Sequence, residues 1–503
     1  MEKKSYILSV DQSTQRTKCL LLDAQGTVVF YQDIQHRQIL DRNGWVTHDP
    51  EEIYKNLRSV VCSVIANAGV DPAVVRCVGI SNQRETSVVW EKENGRPVCG
   101  AIVWQCARAA ALCRRVEATG IGPVVQAHTG IPISPYFPAA KYAWVLENVP
   151  GTRELADAHR LCFGTIDTWL LYRLTDGACY RTDYSNASRT QLFDISRLCW
   201  DAEICRAFGI DPADLPEVCD SDATFGMTDF GGLLPQPVPI CGVIGDSQGA
   251  LLGHGGVLPG TVKATYGTGS SVVMNIGGRP ACSTNGLVTS IAWRRGGELQ
   301  YIMEGNINYS GAVVNWLRDI GVISAFSETQ ALAEQADADD STYLVPAFSG
   351  LGAPYWSSGA KAAICGMTRR SGKAEIVRAG LESIAYQIHD IVRCMEQDFG
   401  ADVRVLLADG GAAKNEYLMQ FQSDILNAEV HAAAYKELSG LGAAYLAGVS
   451  AGVLDPKTLC TTAHTAFRPE MQPAVRQKKL AGWHAAVEDV LRQRTAGDPQ
   501  EKE

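Results

Sequence analysis

Tyr6-Ile7-Leu8-Ser9-Val10-Asp11-Gln12-Ser13-Thr14-Gln15-Arg16-Thr17-Lys18-Cys19-Leu20-Leu21-Leu22 is a short apolar run, a polar turn and a second apolar run. Short runs bounded by turn residues read as β-strands, so the stretch is a hairpin. After the turn Ala24-Gln25-Gly26 comes Thr27-Val28-Val29-Phe30-Tyr31, which makes the opening three consecutive antiparallel strands. The same order returns in the second half of the chain. Thr261-Val262-Lys263-Ala264-Thr265-Tyr266, the turn Gly267-Thr268-Gly269-Ser270 and Val272-Val273-Met274-Asn275 form another strand, polar turn and strand. Two hairpins tipped by Gly, Ser and Thr raise the expectation of a structural duplication.

Working outward, Asp49-Pro50-Glu51-Glu52 has the residues of a helix start: Asp49 to cap, Pro50 at the first helical position and Glu52 to complete a capping box. A helix to about Asn67 is expected. Val75-Arg76-Cys77-Val78-Gly79-Ile80 reads as a buried strand that delivers Ser81-Asn82-Gln83-Arg84-Glu85 at its carboxyl end. Val243-Ile244-Gly245 likewise delivers Asp246 ahead of a helical Gln248 to Leu252, and Val403-Arg404-Val405-Leu406-Leu407 leads to Asp409-Gly410-Gly411. Alternating strands and helices imply α/β domains, in which ligands collect at the carboxyl ends of strands. The chain turns helical after about Leu480, and Thr495 to Glu503 reads as a polar tail.

Each hairpin tip offers backbone N–H groups and hydroxyls to phosphate oxygens, and Asp11 can meet an accompanying magnesium ion through water. Glycine lets a backbone approach phosphate closely, and Thr268 adds a hydroxyl donor. Either tip alone is explained by an ordinary polar turn; their recurrence favours phosphate. No G-x-x-x-x-G-K-[ST] loop occurs, nor a G-x-G-x-x-G after a strand, so the Walker-type and simplest dinucleotide folds are excluded.

The 503 residues include 45 Lys or Arg and 55 Asp or Glu, a formal charge of −10, which argues against a nucleic-acid partner. An apolar share of 46% with 20% charged residues is that of a folded chain, and its length calls for two domains. None of the sixteen cysteines stands in C-x-x-C spacing, so structural zinc is not expected. No run reaches the roughly 18 apolar residues of a membrane span, and Met1-Glu2-Lys3-Lys4-Ser5 has no secretory pattern. A cytoplasmic protein with reduced thiols and no membrane insertion is expected.

Longer stretches carry a resemblance. Tyr136-Phe137-Pro138-Ala139-Ala140-Lys141-Tyr142-Ala143-Trp144-Val145-Leu146-Glu147-Asn148 matches the first signature of the FGGY family of carbohydrate kinases at every constrained position. Ala362-Ala363-Ile364-Cys365-Gly366-Met367, with Glu375, Ile376, Ala379, Leu381 and Glu382, fits the second, except that Gly380 stands where a larger or hydroxylated residue is usual. Gly44 to Pro50, Ser81 to Thr86, Ala101 to Cys106, Gly164 to Leu170, Pro346 to Trp356 and Met419 to Leu426 are similar to the family's glycerol-kinase branch. Coverage runs from about residue 5 to about 485.

The resemblance implies two ribonuclease-H-like domains of the actin and hexokinase ATPase type flanking a deep catalytic cleft. The N-terminal one would span 1–252, the C-terminal one 253–494, and 495–503 the tail. It implies ATP and Mg2+, a small polyol or sugar acceptor and a homo-oligomer, dimer or tetramer. Asp246 falls on the general base, the right type of group because an attacking hydroxyl must lose its proton; helix capping is the simpler role for an Asp there. Asp11, with Asp246, would organise the metal. Ser13, Thr14, Gln15, Lys18 and Thr268 fall on phosphate contacts, and Gly311, Asn315, Gly411 and Asn415 on the nucleotide side. Lys18 stands where arginine is usual, which keeps the charge but loses the planar fork. Asn315 stands where glutamine is familiar.

Arg84, Glu85, Trp104 and Tyr136 match acceptor-binding residues. The first two offer donors and acceptors to neighbouring hydroxyls, and the aromatics cover C–H edges. Ser247 and Ser271 replace a glutamine and a phenylalanine there, which enlarges the pocket. Glycerol ranks first as acceptor, with a tetritol, pentitol or ketopentose as the alternative; a nucleotide-driven conformational ATPase without acceptor is the alternative from another class. The stretch Phe230-Gly231-Gly232-Leu233-Leu234-Pro235-Gln236-Pro237 lacks the cations of a bisphosphate-binding loop, so that feedback is not expected.

Overall fold

The computed structural model describes residues 5–457 and 463–493, so the expected tail at 495–503 lies outside the described residues. The opening is the expected antiparallel trio: β1 (Tyr6–Gln12), β2 (Arg16–Asp23) and β3 (Val28–Gln35). Every residue of β1 is buried, which is why its apolar residues do not alternate with exposed polar ones. Helix α1 (Pro50–Asn67) is capped by Asp49, whose carboxylate accepts from Glu51 N–H at 2.9 Å. The capping box does not form; Glu52 instead faces the main-chain N–H and side chain of Arg37. A surface cation within reach competes with a local N–H for the same carboxylate.

β4 (Val75–Asn82) runs parallel to β1. Further on come helix α2 (Pro138–Asn148), edge strand β5 (Gly226–Thr228) and β6 (Val238–Gly245), which is parallel to β4. The sheet order is β5-β6-β4-β1-β2-β3. Helix α3 (Asp246–Gly253) leaves the end of β6, starting two residues before the expected Gln248.

The second sheet repeats this arrangement. β7 (Val262–Tyr266), β8 (Ser270–Gly277), β9 (Val288–Arg295) and β10 (Glu298–Ile307) are antiparallel along the order β9-β10-β8-β7. After helices α4 (Gly311–Asp319) and α5 (Lys373–Phe399), β11 (Val405–Gly410) pairs in parallel with β7. Helix α6 (Glu416–Leu426), β12 (Glu429–Ala433), helix α7 (Leu438–Ser450), edge strand β13 (His464–Phe467) and helix α8 (Pro473–Gln493) complete the chain. Helix α8 begins seven residues before the expected Leu480. A run of antiparallel strands, three in the first half and four in the second, followed by parallel strands is the doubled ribonuclease-H-like architecture.

Helix α7 lies between β12 and β13 of the second sheet in sequence but packs on the first. Ser9 Oγ donates to Gly440 O at 2.6 Å, and a Cβ on Gly79 of β4 would lie 2.2 Å from Ala443 O. Where α7 crosses α3, a Cβ on Gly442 would sit 2.0 Å from Gly249 O. Only glycine permits that approach, and it couples the second half of the chain to the helix that begins at Asp246.

Candidate active site

Parallel register aligns the carboxyl ends of three strands: Gln12 pairs with Asn82, and Asn82 with Gly245. Asp11, Arg84 and Asp246 therefore emerge side by side. The first hairpin tip is closed by Ser13 N–H and Ser13 Oγ, both donating to Arg16 O at 2.9 and 3.0 Å, so Ser13 stabilises the turn itself. Thr14 is half-buried and Gln15 exposed. Lys18 lies opposite Asp11 in register, its Nζ 3.0 Å from Asp11 Oδ2 and 2.5 Å from Glu437 Oε2. Burial opposes its charge, but these two carboxylates raise its pKa well above the ordinary lysine value. Asp11 Oδ1 is buried with no hydrogen-bond partner. That orphaned oxygen suits a hydrated cation, the donor chemistry Mg2+ requires.

In the second hairpin, Gly267 N–H donates to Gly269 O, and Gly267 and Thr268 stand exposed at the tip. The start of α4 docks on this turn: Gly311 N–H donates to Gly267 O at 2.9 Å and Ala312 N–H to Thr268 O at 3.0 Å. Asn315 lies one turn further along α4, half-buried. Tyr266 pairs with Gly410, whose φ of +96° and close contact with Tyr266 O exclude a side chain. Gly411 follows, exposed, with open space where a Cβ would be. Asn415 is already engaged: its Oδ1 caps α6 at Leu418 N–H and its amide donates to Thr329 Oγ1 at 3.1 Å.

Asp246 is the first residue of α3, with Gly245 in the cap position, so it does not serve as the N-cap. Its Oδ1 accepts from Ser247 N–H at 2.7 Å and lies 3.3 Å from Arg84 Nε. The side chain remains 34% exposed. Burial by the surrounding walls pushes the Asp246 carboxyl up to about 6; Arg84 opposes that rise, while Glu85 and Asp11 add to it.

Arg84 is held by a residue the sequence reading missed. Its Nη2 and Nη1 donate to the two oxygens of Glu304, on β10 of the other sheet, at 2.7 and 2.9 Å. Arg189 Nη1 lies 3.1 Å from the same carboxylate, and Arg189 Nε donates to Glu85 Oε1 at 2.5 Å. Burial alone would raise Glu304, yet Arg189 and Arg84 hold it well below the carboxylate range. Ser271 Oγ also donates to Glu304, at 3.1 Å, so the hydroxyl that replaces a phenyl wall braces this cluster. Arg84 Nη1 reaches Gln248 Oε1 at 3.2 Å. A charged residue inside the apolar run Tyr301-Ile302-Met303-Glu304 was the available signal. Trp104 and Tyr136 pack with ring centroids 5.6 Å apart, and Trp104 Nε1 donates to Thr14 Oγ1 at 2.9 Å. That bond joins the aromatic wall to the first hairpin.

Among the described residues no helix is long and apolar enough to cross a membrane. Comparison with known proteins accords with this geometry. The N-terminal domain of the FGGY family of carbohydrate kinases matches residues 6–253 and its C-terminal domain residues 262–451. The chain is 43% identical over 490 residues to glycerol kinase 1 of Thermotoga maritima, covering 97% of this chain and 99% of that protein. It is 44% identical over 489 residues to a glycerol kinase of Symbiobacterium thermophilum, covering 96% and 98%. The crystal structure of Plasmodium falciparum glycerol kinase with ADP superposes with a TM-score of 0.91 at 37% identity, covering 97% of this chain and 98% of that one. A xylulose kinase structure from Brucella ovis, 22% identical with a TM-score of 0.85 and covering 98% and 99%, shares the fold. The chain therefore belongs to the FGGY family of carbohydrate kinases and is an ATP-dependent carbohydrate kinase.

Proposed function

We propose that the protein transfers the γ-phosphoryl group of ATP to a primary hydroxyl of glycerol, giving glycerol 3-phosphate and ADP. The observation that carries this reading is the Asp246 carboxylate at the carboxyl end of β6, partly exposed, 3.3 Å from Arg84 and with its pKa pushed up to about 6 by burial. A base of that pKa is ionised at neutral pH and still basic enough to take the proton of a hydroxyl as its oxygen attacks phosphorus. Arg84 and Glu85 orient the neighbouring hydroxyls, and Trp104 and Tyr136 cover the carbon edges. Thr14, Lys18 and Thr268 contact the phosphates, and Gly311, Asn315 and Gly411 lie against the nucleotide. Asn415 contributes there only by giving up its bond to Thr329. Asp11 and Asp246 would hold Mg2+ through water; bound there, the ion neutralises phosphate charge.

Relatives named glycerol kinase over nearly the whole chain support glycerol as acceptor. So does Ser271, whose hydroxyl turns to Glu304. Glycerol, tetritols, pentitols and ketopentoses compared by kcat/KM in an ADP-release assay test the assignment. Glycerol should lead the panel; a pentitol or ketopentose ahead of it would overturn the acceptor. ADP release that no acceptor accelerates would overturn the whole reading.

A further inference from the structure

Lys141 lies in α2 and takes no part in the chemistry described so far. Its side chain is fully buried, yet its ammonium has three main-chain acceptors. It donates to Tyr136 O at 2.6 Å, Glu85 O at 2.9 Å and, more weakly, Trp104 O at 3.5 Å. These carbonyls belong to three separate segments: the loop after β4, the segment carrying Trp104, and the residues just before α2. The same three residues belong to the acceptor pocket proposed above.

One of the three is strained. Glu85 has a φ of +59°, a left-handed conformation uncommon for a residue with a side chain, and Thr86 N–H folds back onto Arg84 O at 2.8 Å across it. Such a conformation persists only where its surroundings enforce it. Arg189 holds the Glu85 carboxylate and Lys141 holds its carbonyl. Burial lowers the Lys141 ammonium to about 7, an effect the Glu85 charge only partly offsets. A methionine would fill similar space without that desolvation cost, so the specific contribution of lysine is its donors.

We propose that Lys141 is a positioning residue of the acceptor pocket: one buried ammonium fixes the mutual placement of Glu85, Trp104 and Tyr136, and so sets the affinity for the polyol. It touches neither Asp246 nor the hairpin tips, and its one link to the first hairpin runs through its weakest bond, to Trp104, so its effect falls mainly on acceptor binding. This inference rests on the acceptor pocket proposed above.

The test compares wild type, Lys141→Met and Lys141→Gln, using glycerol or whichever polyol of the panel the wild type turns over best. Failure of the acceptor reading is then seen in the wild type alone, and failure of the lysine role in the variants alone. Loss of hydrogen bonds from a charged donor should raise the acceptor KM of Lys141→Met by about ten- to a hundredfold. The KM for ATP, the ADP affinity and kcat at saturating acceptor should each stay within about threefold, the pattern of lost uniform binding. Lys141→Gln, which keeps a shorter donor, should fall between. An unchanged acceptor KM, or equal rises in both KM values, would overturn the proposal. So would loss of ADP binding in both variants, because the lysine would then be serving the fold as a whole.

Discussion

Replacing Asp246 by asparagine tests the reasoning most directly, because one residue should change rate, pH profile and stability in three separate directions. With the carboxyl pushed up to about 6, the fraction ionised in the free enzyme is about 0.1 at pH 5 and about 0.9 at pH 7. The kcat/KM for glycerol should therefore rise about tenfold across that interval in the wild type. Asp246→Asn should remove this limb and lower kcat by about 10²- to 10⁴-fold, the usual worth of a positioned base. Its affinity for ADP should stay close to wild type.

The stability effect runs the other way. Because the folded pKa lies above the unfolded value of 3.8, folding disfavours the ionised form, so stability declines as pH rises from about 4 to about 6. Asparagine escapes that penalty. The variant should melt at a higher temperature than wild type at pH 7.5, with the difference vanishing below about pH 4. Initial rates from pH 5 to 8, ADP titration and thermal unfolding at both pH values form the assay. A flat wild-type profile, or turnover in the variant close to wild type, would refute the role of Asp246.

Other perturbations probe the surroundings. Glu304→Gln removes the carboxylate that Arg84 and Arg189 share, leaving Glu85 and Asp246 as their remaining partners; breaking this buried network should cost about 3 to 5 kcal/mol in a denaturant titration. Since the folded pKa of Glu304 lies well below 4.5, that loss should be full above about pH 4.5 and shrink as pH falls. Asp11→Ala removes the orphaned oxygen and should raise the magnesium concentration for half-maximal rate by about tenfold or more, with metal-free ADP binding unchanged. Gly442→Ala places a methyl 2.0 Å from Gly249 O; the overpacked crossing of α3 and α7 should lose about 1 to 3 kcal/mol and lower kcat by displacing Asp246.

Residues adjacent along the chain told most of what the sequence could tell. The first hairpin was readable because its strands and polar tip are one continuous stretch, and Asp49-Pro50 marked the start of α1 because capping is local. Glu52 already departed from that logic, since Arg37 approaches it from another element. Asn415 is engaged by Thr329, 86 positions away, a contact that no local pattern marks. Glu304 meets Arg84 across 220 positions of chain.

The order of short apolar runs and Gly-Ser-Thr turns was enough to place two like-tipped hairpins and an aspartate at the carboxyl end of a strand, and to raise the expectation of a duplicated α/β fold. Tertiary structure alone decided that Glu304 of one sheet grips Arg84 of the other, that α7 packs back against the first sheet, and that Lys141 gathers three segments. The physical reason is range. Strand alternation, turn chemistry and helix capping act between chain neighbours, whereas charge pairing and desolvation depend on distances through space that only the folded arrangement sets.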